Sequence, residues 1–248
     1  TVSSSVIREW EICLLDEGKM TSTSVNRKLS ALRSFYRYLA KMGKVEANPT
    51  LKVVGPKNKK RLPVFVKEKS MDKLLELMKE DVGFLGMRNR LVIQMLYLTG
   101  MRRAEMLGLA DESVDFVQKQ IKVTGKRNKQ RLIPFGEELE ISMREYIKER
   151  EAAFPYCGKF FVSKSGGPMT EADLSKVVRT SLARVTTQKK RSPHVLRHAF
   201  ATAMLNGDAD LLAIQKLLGH ESLKTTEIYT HLSFEELKDV YKSAHPRS

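Results

Sequence analysis

The chain has 248 residues, enough for one or two domains with a buried core, and carries a formal net charge of +15 with a pI near 9.8. Such a basic balance points to a polyanionic partner, nucleic acid ahead of a membrane surface, against the plainer reading of a merely soluble basic exterior. The two cysteines, Cys13 and Cys157, imply no disulfide framework and have no metal-ligand spacing, which suits a reducing compartment; no apolar run approaches the ~20 residues of a membrane span, and no signal peptide is visible.

Residues 5–17 are predicted as a helix, with Val6, Trp10, Cys13 and Leu14 on one face and Gly18 as its stop. The hydroxyl run at 21–24 offers N-caps for a second helix to about Met42, whose apolar stripe is Val25, Leu29, Leu32, Tyr36 and Leu39. Arg27, Lys28, Arg33, Arg37 and Lys41 supply much of its remaining surface, either as a solvated face or as contacts to a nucleic-acid backbone. Gly43 ends that helix and Asn48-Pro49 turns the chain. The best domain boundary is GPKNKKRLP at 55–63, a basic linker bearing Lys57, Lys59, Lys60 and Arg61.

Ser70 is expected to cap a helix to about Lys79, with Met71, Leu74, Leu75 and Met78 turned inward as core filler. A further helix runs from about Met87 to Leu98; Thr99-Gly100 breaks it, and a new turn carries Arg102 and Glu105. Alternating runs at 113–117, 120–124 and 131–134 predict a small antiparallel sheet, the last two joined by GKRNKQ with Lys126 in the turn. A helix follows at about 137–151, then FFV at 160–162, a turn, and a Thr170-capped helix to about Arg184. Arg184, Lys189, Lys190 and Arg191 add charge just before Ser192.

The stretch from Ser192 to His231 organises the rest. Ser192 and Pro193 suit the N-cap and first position of a helix, which puts His194 and Arg197 three apart near its first turn, where unpaired N–H groups and the helix dipole favour an anion. Asp208 is expected to cap the next helix and Gly219 to end it, leaving His220 just past the cap; Ser222 can cap a short helix carrying Tyr229. Two cationic or donor groups would thus face a phosphate with a phenol nearby. Ser233 and Glu236 form a capping-box pattern for a last helix with Phe234, Leu237, Val240 and Tyr241 on one side. That side packs either on its own domain or, the preferred reading, on a neighbouring protomer.

HVLR at 194–197, GH at 219–220 and Tyr229, with TGMRRAEMLGL at 99–109 and VTGKRNKQRLIPF at 123–135, resemble the motif set of the tyrosine recombinases (the lambda integrase family), nearest to its Xer branch. The likeness spans roughly residues 20 to 248. Members commonly have a glycine where this chain has Arg127. The resemblance implies a mainly α fold with a small antiparallel β-sheet (α+β). A truncated helical core-binding domain would occupy 1–54, a basic linker 55–63, and the catalytic domain 64–248, ending in a helix for protomer exchange.

The resemblance also implies the chemistry. Tyr229 would attack a DNA phosphorus, displace the 5′-hydroxyl and leave a 3′-phosphotyrosyl link, which the 5′-hydroxyl of a partner strand reverses. Negative charge gathers on the non-bridging oxygens, and Arg102 and Arg197 would each offer a fork of N–H donors to it. A phenol of ordinary pKa about 10 needs help losing its proton, and His194 is the candidate base or relay. Lys126 would protonate the leaving oxygen, His220 would hydrogen-bond a phosphate oxygen, and Glu105 would orient Arg102 or His194. Arg27, Lys28, Arg33, Arg37, Lys57, Lys59, Lys60 and Arg61 would follow the DNA backbone.

One phosphodiester replaces another, so neither ATP nor a metal or other cofactor is expected. The implied partners are double-stranded DNA and a homo-tetramer, or a hetero-tetramer with a paralogue, in the cytoplasm at the nucleoid and away from membranes. Chromosome-dimer resolution and integration or excision of a mobile element both stay open. The rival readings are a DNA-binding relative without catalysis and a type IB topoisomerase-like nicking-closing enzyme. His194 and His198 have the spacing of a zinc pair, but Val195 stands where a zinc protease has glutamate, and no carboxylate or Cys nearby clearly completes the ligands; His198 is expected as a core or support residue.

Overall fold

The structure, a computed structural model, describes residues 2–58, 66–125, 128–155, 158–219 and 233–247. Its chain divides into two compact units, Thr1–Pro63 and Val64–Ser248.

The first unit holds α1 (Ser4–Asp16) and α2 (Ser22–Lys41), capped by the Ser3 and Thr21 hydroxyls. Ile7 of α1, Leu29 of α2 and Val53 form its small core, with Trp10 and Leu32 packed against it. The buried face of α1 therefore lies one residue away from the expected one: Ile7 and Glu11 are buried, whereas Val6 and Cys13 are exposed. Contact with Leu29 and Val53 decided this rotation, and the sequence of α1 alone cannot supply it. The segment after α2 lies along both helices. Ser4 and Arg8 donate to the carbonyls of Pro49 and Lys52, Arg33 to that of Val53 at 2.7 Å, and Asn26 to that of Pro56 at 2.8 Å.

The second unit is built around α4 (Gly83–Thr99), which is buried throughout from Leu91 to Leu98, all of that run apolar or aromatic but for Gln94. Packed on it are α3 (Glu68–Leu77), α6 (Glu137–Ala153), α7 (Glu171–Ala183) and α8 (Pro193–Asn206). Lys67 rather than Ser70 occupies the N-cap of α3, so that helix starts two residues ahead of Ser70. Helix α4 likewise begins at Gly83, ahead of the expected start near Met87. Strands β1 (Val114–Asp115), β2 (Gln120–Thr124) and β3 (Gln130–Pro134) form an antiparallel sheet in that order, with Ile121 opposite Ile133 and Val123 opposite Arg131. The β2–β3 turn uses Asn128 in the left-handed region, at φ +59°, a conformation asparagine tolerates.

Helix α9 (Leu211–Leu218) is capped by Asp210, two residues after the expected Asp208, which instead takes φ +61° in the preceding turn. Helix α10 (Phe234–Ala244) opens with the expected capping box of Ser233 and Glu236. In this structure its Leu237, Tyr241 and Ala244 pack with Phe200, Met204, Ala213 and Leu217 of the same chain. Among the described residues, no helix is long and apolar enough to cross a membrane, and no group of His, Cys, Asp and Glu is placed to hold a metal ion.

Candidate active site

Three helix ends converge on one cleft. Helix α4 ends at Gly100, whose φ of +58° is left-handed; a Cβ there would lie 2.4 Å from Phe200 and 2.7 Å from Leu218. Only glycine lets α8 and α9 approach so closely. Two residues on, Arg102 is the N-cap of the short helix α5 (Arg103–Leu107). Glu105, at its third position, reaches back to accept the Arg102 backbone N–H at 2.7 Å.

From the far end of the chain, α8 begins at Pro193 with Ser192 in N-cap geometry, although the Ser192 side chain makes no cap hydrogen bond. His194 is exposed on its first turn, while Arg197 is buried on the inner face. Arg197 donates to the Gly100 carbonyl at 2.6 Å and to the Leu218 carbonyl at 2.7 Å. Arg102, Arg197 and His194 line one cleft together with Arg103, Ser175 and Arg191. The Arg191 Nε is buried there without a hydrogen-bond partner among the described residues. His198, expected as a core or support residue, is instead exposed: it sits four residues after His194 on the same outward face.

Glu105 is the acidic centre of the site. Its carboxylate accepts from Arg102 at 2.8 Å and from two guanidinium nitrogens of Arg131 at 2.5 and 2.9 Å. Burial alone would raise its pKa; the Arg131 hydrogen bonds, the Arg102 backbone N–H and the two positive charges outweigh that and hold it at about 2. Arg197 is driven the other way, to about 10, first by burial and then by repulsion from Arg102 and Arg131, with Glu105 partly offsetting both. Two guanidiniums, those of Arg102 and Arg131, thus share one carboxylate, and the positive charges of Arg102 and Arg197 line the cleft, a site for an anion with several oxygens.

Arg131 was not among the sequence candidates, and it had a legible signal. It pairs across the sheet with buried Val123 and shares a strand face with Ile133, so a charge stands on the inner face and needs a buried partner. Arg33, expected on the basic face of α2, is tied down to the Val53 carbonyl, and Arg184 pairs with Asp81 and donates to the Leu77 carbonyl. Arg27, Lys28, Arg37 and Lys57 are exposed. Lys59, Lys60, Arg61, Lys126, His220 and Tyr229 lie outside the described residues. Gly125, next to Lys126, has its Cβ direction 3.4 Å from the Glu105 carboxylate, and Gly219, next to His220, presents its carbonyl to Arg102 at 2.6 Å.

Comparison with known proteins identifies the class. Residues 64–236 match the phage integrase family and residues 1–43 its N-terminal SAM-like domain, so the chain belongs to the phage integrase family, the tyrosine recombinases. Among its relatives, tyrosine recombinase XerC of Chlorobaculum tepidum is 37% identical, covering 95% of this chain and 76% of that protein. XerC of Halalkalibacterium halodurans is also 37% identical, covering 100% and 83%. The XerH site-specific recombinase bound to a palindromic difH substrate, a post-cleavage complex, aligns with TM-score 0.76 and 27% identity over 96% of this chain and 71% of that one. The Tn1549 transposon integrase, 22% identical with TM-score 0.74 over 96% of this chain and 84% of that one, shares the fold. The chain is mainly helical with a three-stranded antiparallel sheet, and its relatives make it a DNA strand transferase, a site-specific recombinase of the Xer kind.

Proposed function

We propose that this recombinase cuts and rejoins double-stranded DNA through a 3′-phosphotyrosyl link formed by Tyr229, with the cleft of Arg102, His194 and Arg197 as the seat of the scissile phosphate. The observation that carries this reading is the shared lining of that cleft by two motif arginines and the motif histidine, 92 residues apart from Arg102 to His194 in the sequence. Arg102 and Arg197 neutralise the phosphorane-like charge, His194 takes the phenolic proton, Lys126 protonates the departing 5′-oxygen and His220 donates to a phosphate oxygen. The reaction exchanges one phosphodiester for another, so the protein supplies the positive charge without ATP or a metal.

The first unit serves as a core-binding domain, with Arg27, Lys28 and Arg37 of α2 and the linker residues Lys57, Lys59, Lys60 and Arg61 following the backbone. On DNA the chain works as a tetramer, homomeric or with a paralogue, and α10 then exchanges between protomers. The setting is the cytoplasm, at the nucleoid.

The test is covalent trapping. A pool of random-sequence duplexes, each nicked so that cleavage releases a short strand and blocks reversal, is incubated with the chain, and detergent-resistant adducts are recovered and sequenced. The wild-type chain is expected to give adducts enriched in one sequence, and Tyr229→Phe none. Adducts that persist in Tyr229→Phe would reject the nucleophile; supercoil relaxation without exchange between two sites would favour a nicking-closing enzyme.

A further inference from the structure

We propose that Arg131, which does not line the cleft, is a positioning residue that fixes the guanidinium of Arg102 for the phosphate by clamping Glu105 and the end of α9 at once. The proposal rests on the reading of Arg102 as a phosphate-binding residue. Each Glu105 oxygen is shared between the two arginines: Oε1 takes Arg102 Nη1 and Arg131 Nη1, and Oε2 takes the Arg102 backbone N–H and Arg131 Nη2. A second bridge runs through α9, whose last carbonyls have no helical partner. Arg131 Nε donates to the Leu217 carbonyl at 2.9 Å, and Arg102 Nη2 donates to the Gly219 carbonyl at 2.6 Å. Gly219 is itself left-handed, at φ +64°, and its Cα is so close to Arg131 that a Cβ would lie 3.1 Å from Nη1.

Two independent links thus join Arg131 to Arg102. A lysine cannot make both, since its single ammonium cannot span a carboxylate and a carbonyl together. The clamp also sets the charge on Glu105. The groups facing that carboxylate are Arg102 from its own helix, Arg131 from β3 and, through the field, Arg197 from α8. Burial opposes ionisation of Glu105, and Arg131 is its main counterweight. Without Arg131, Glu105 takes up a proton in mildly acid solution and then orients Arg102 poorly.

The experiment is single-turnover adduct formation on the duplex recovered from the random pool, from about pH 5 to about pH 8. Arg131→Ala is expected to slow the step roughly 10- to 100-fold while DNA affinity changes by only a few-fold. It should also lose further rate as the pH falls, an acid limb additional to the loss that protonation of His194 brings to the wild type and to Arg131→Ala/Glu105→Gln. Arg131→Lys keeps a charge beside Glu105, so it should lack that limb while recovering only part of the rate. Wild-type rates in Arg131→Ala, or a uniform loss with an unchanged pH profile, would overturn the proposal. If Arg131→Ala does not fold, Arg131→Lys decides alone: a wild-type rate overturns the proposal, and a reduced rate without the limb supports it. If the wild-type chain forms no adduct, the proposed function fails, and the clamp is read from anisotropy with a random-sequence duplex. Arg102→Ala and Arg131→Ala should then weaken binding non-additively, and additive losses would overturn it.

Discussion

Arg197 and Gly100 are joined by a 2.6 Å hydrogen bond from guanidinium to carbonyl across 97 residues of sequence. It ties the helix that carries His194 to the left-handed end of α4, and the same arginine reaches the Leu218 carbonyl at the end of α9. Gly100→Ala should therefore strain the backbone and force Phe200 and Leu218 outward. The expected loss is about 2–4 kcal/mol of unfolding free energy. Urea denaturation of the full chain measures it, and adduct formation should fall with it.

Arg197→Lys keeps the charge but not the geometry. An ammonium cannot hold the Gly100 and Leu218 carbonyls and also present a fork to a phosphate. Adduct formation should drop by roughly 100-fold or more, with duplex affinity at low salt changing far less. An equal loss in both would mean that Arg197 acts in ground-state binding.

Glu105 makes stability acid-sensitive in a low window. Its carboxyl sits at about 2 in the folded chain against an ordinary value of 4.5. A depressed acid stabilises the fold above its unfolded value, and the contribution disappears as the pH falls from about 4.5 towards 2. At ~1.4 kcal/mol per pH unit between the two values, the contribution is on the order of 3 kcal/mol. Denaturation of the wild type and of Glu105→Gln across that range should show a shallower acid loss in the variant.

His245 governs a higher window. It is buried between the rings of Phe200 and Tyr241, centroids 5.6 and 5.5 Å away, with Tyr97 edge-on at 5.5 Å. Burial, aided by the Arg247 charge and opposed by the Tyr97 backbone and Glu138, pushes its pKa down to about 4 from 6.5, and its Nδ1 accepts the Arg247 backbone N–H. The unfolded chain therefore binds the proton first. Stability is full above about pH 6.5 and falls as the pH drops towards 4, by roughly 3 kcal/mol. His245→Phe keeps the stacking and should remove this loss, which thermal melts at pH values on either side of the window would read.

Arg33 and Arg37 separate by role, although both are basic residues of one helix. Arg37 is exposed, and Arg37→Ala should weaken duplex binding and reduce the salt slope by about 1. Arg33 donates to the Val53 carbonyl, so Arg33→Ala should lower the stability of the first unit by about 1–2 kcal/mol and leave the salt slope in place. Titration of DNA affinity against salt distinguishes them.

The local signals in the chain read through to structure. Thr21, Thr170 and Ser233 cap helices where their side chains and spacing say they should, Gly219 ends α9, and the three alternating runs pair as an antiparallel sheet. These outcomes depend on a few neighbouring residues, so the amino-acid order suffices. The identity of Arg102, His194 and Arg197 as the residues of one cleft was legible through motif resemblance, whereas their convergence in space comes from the fold. What only tertiary structure decided is which partner each charge takes. Arg131 meets Glu105, Arg33 turns to Val53, and α1 presents Ile7 and Glu11. Each choice turns on desolvation and contact between segments far apart in the chain, where burying an unpaired charge costs more than any local preference returns.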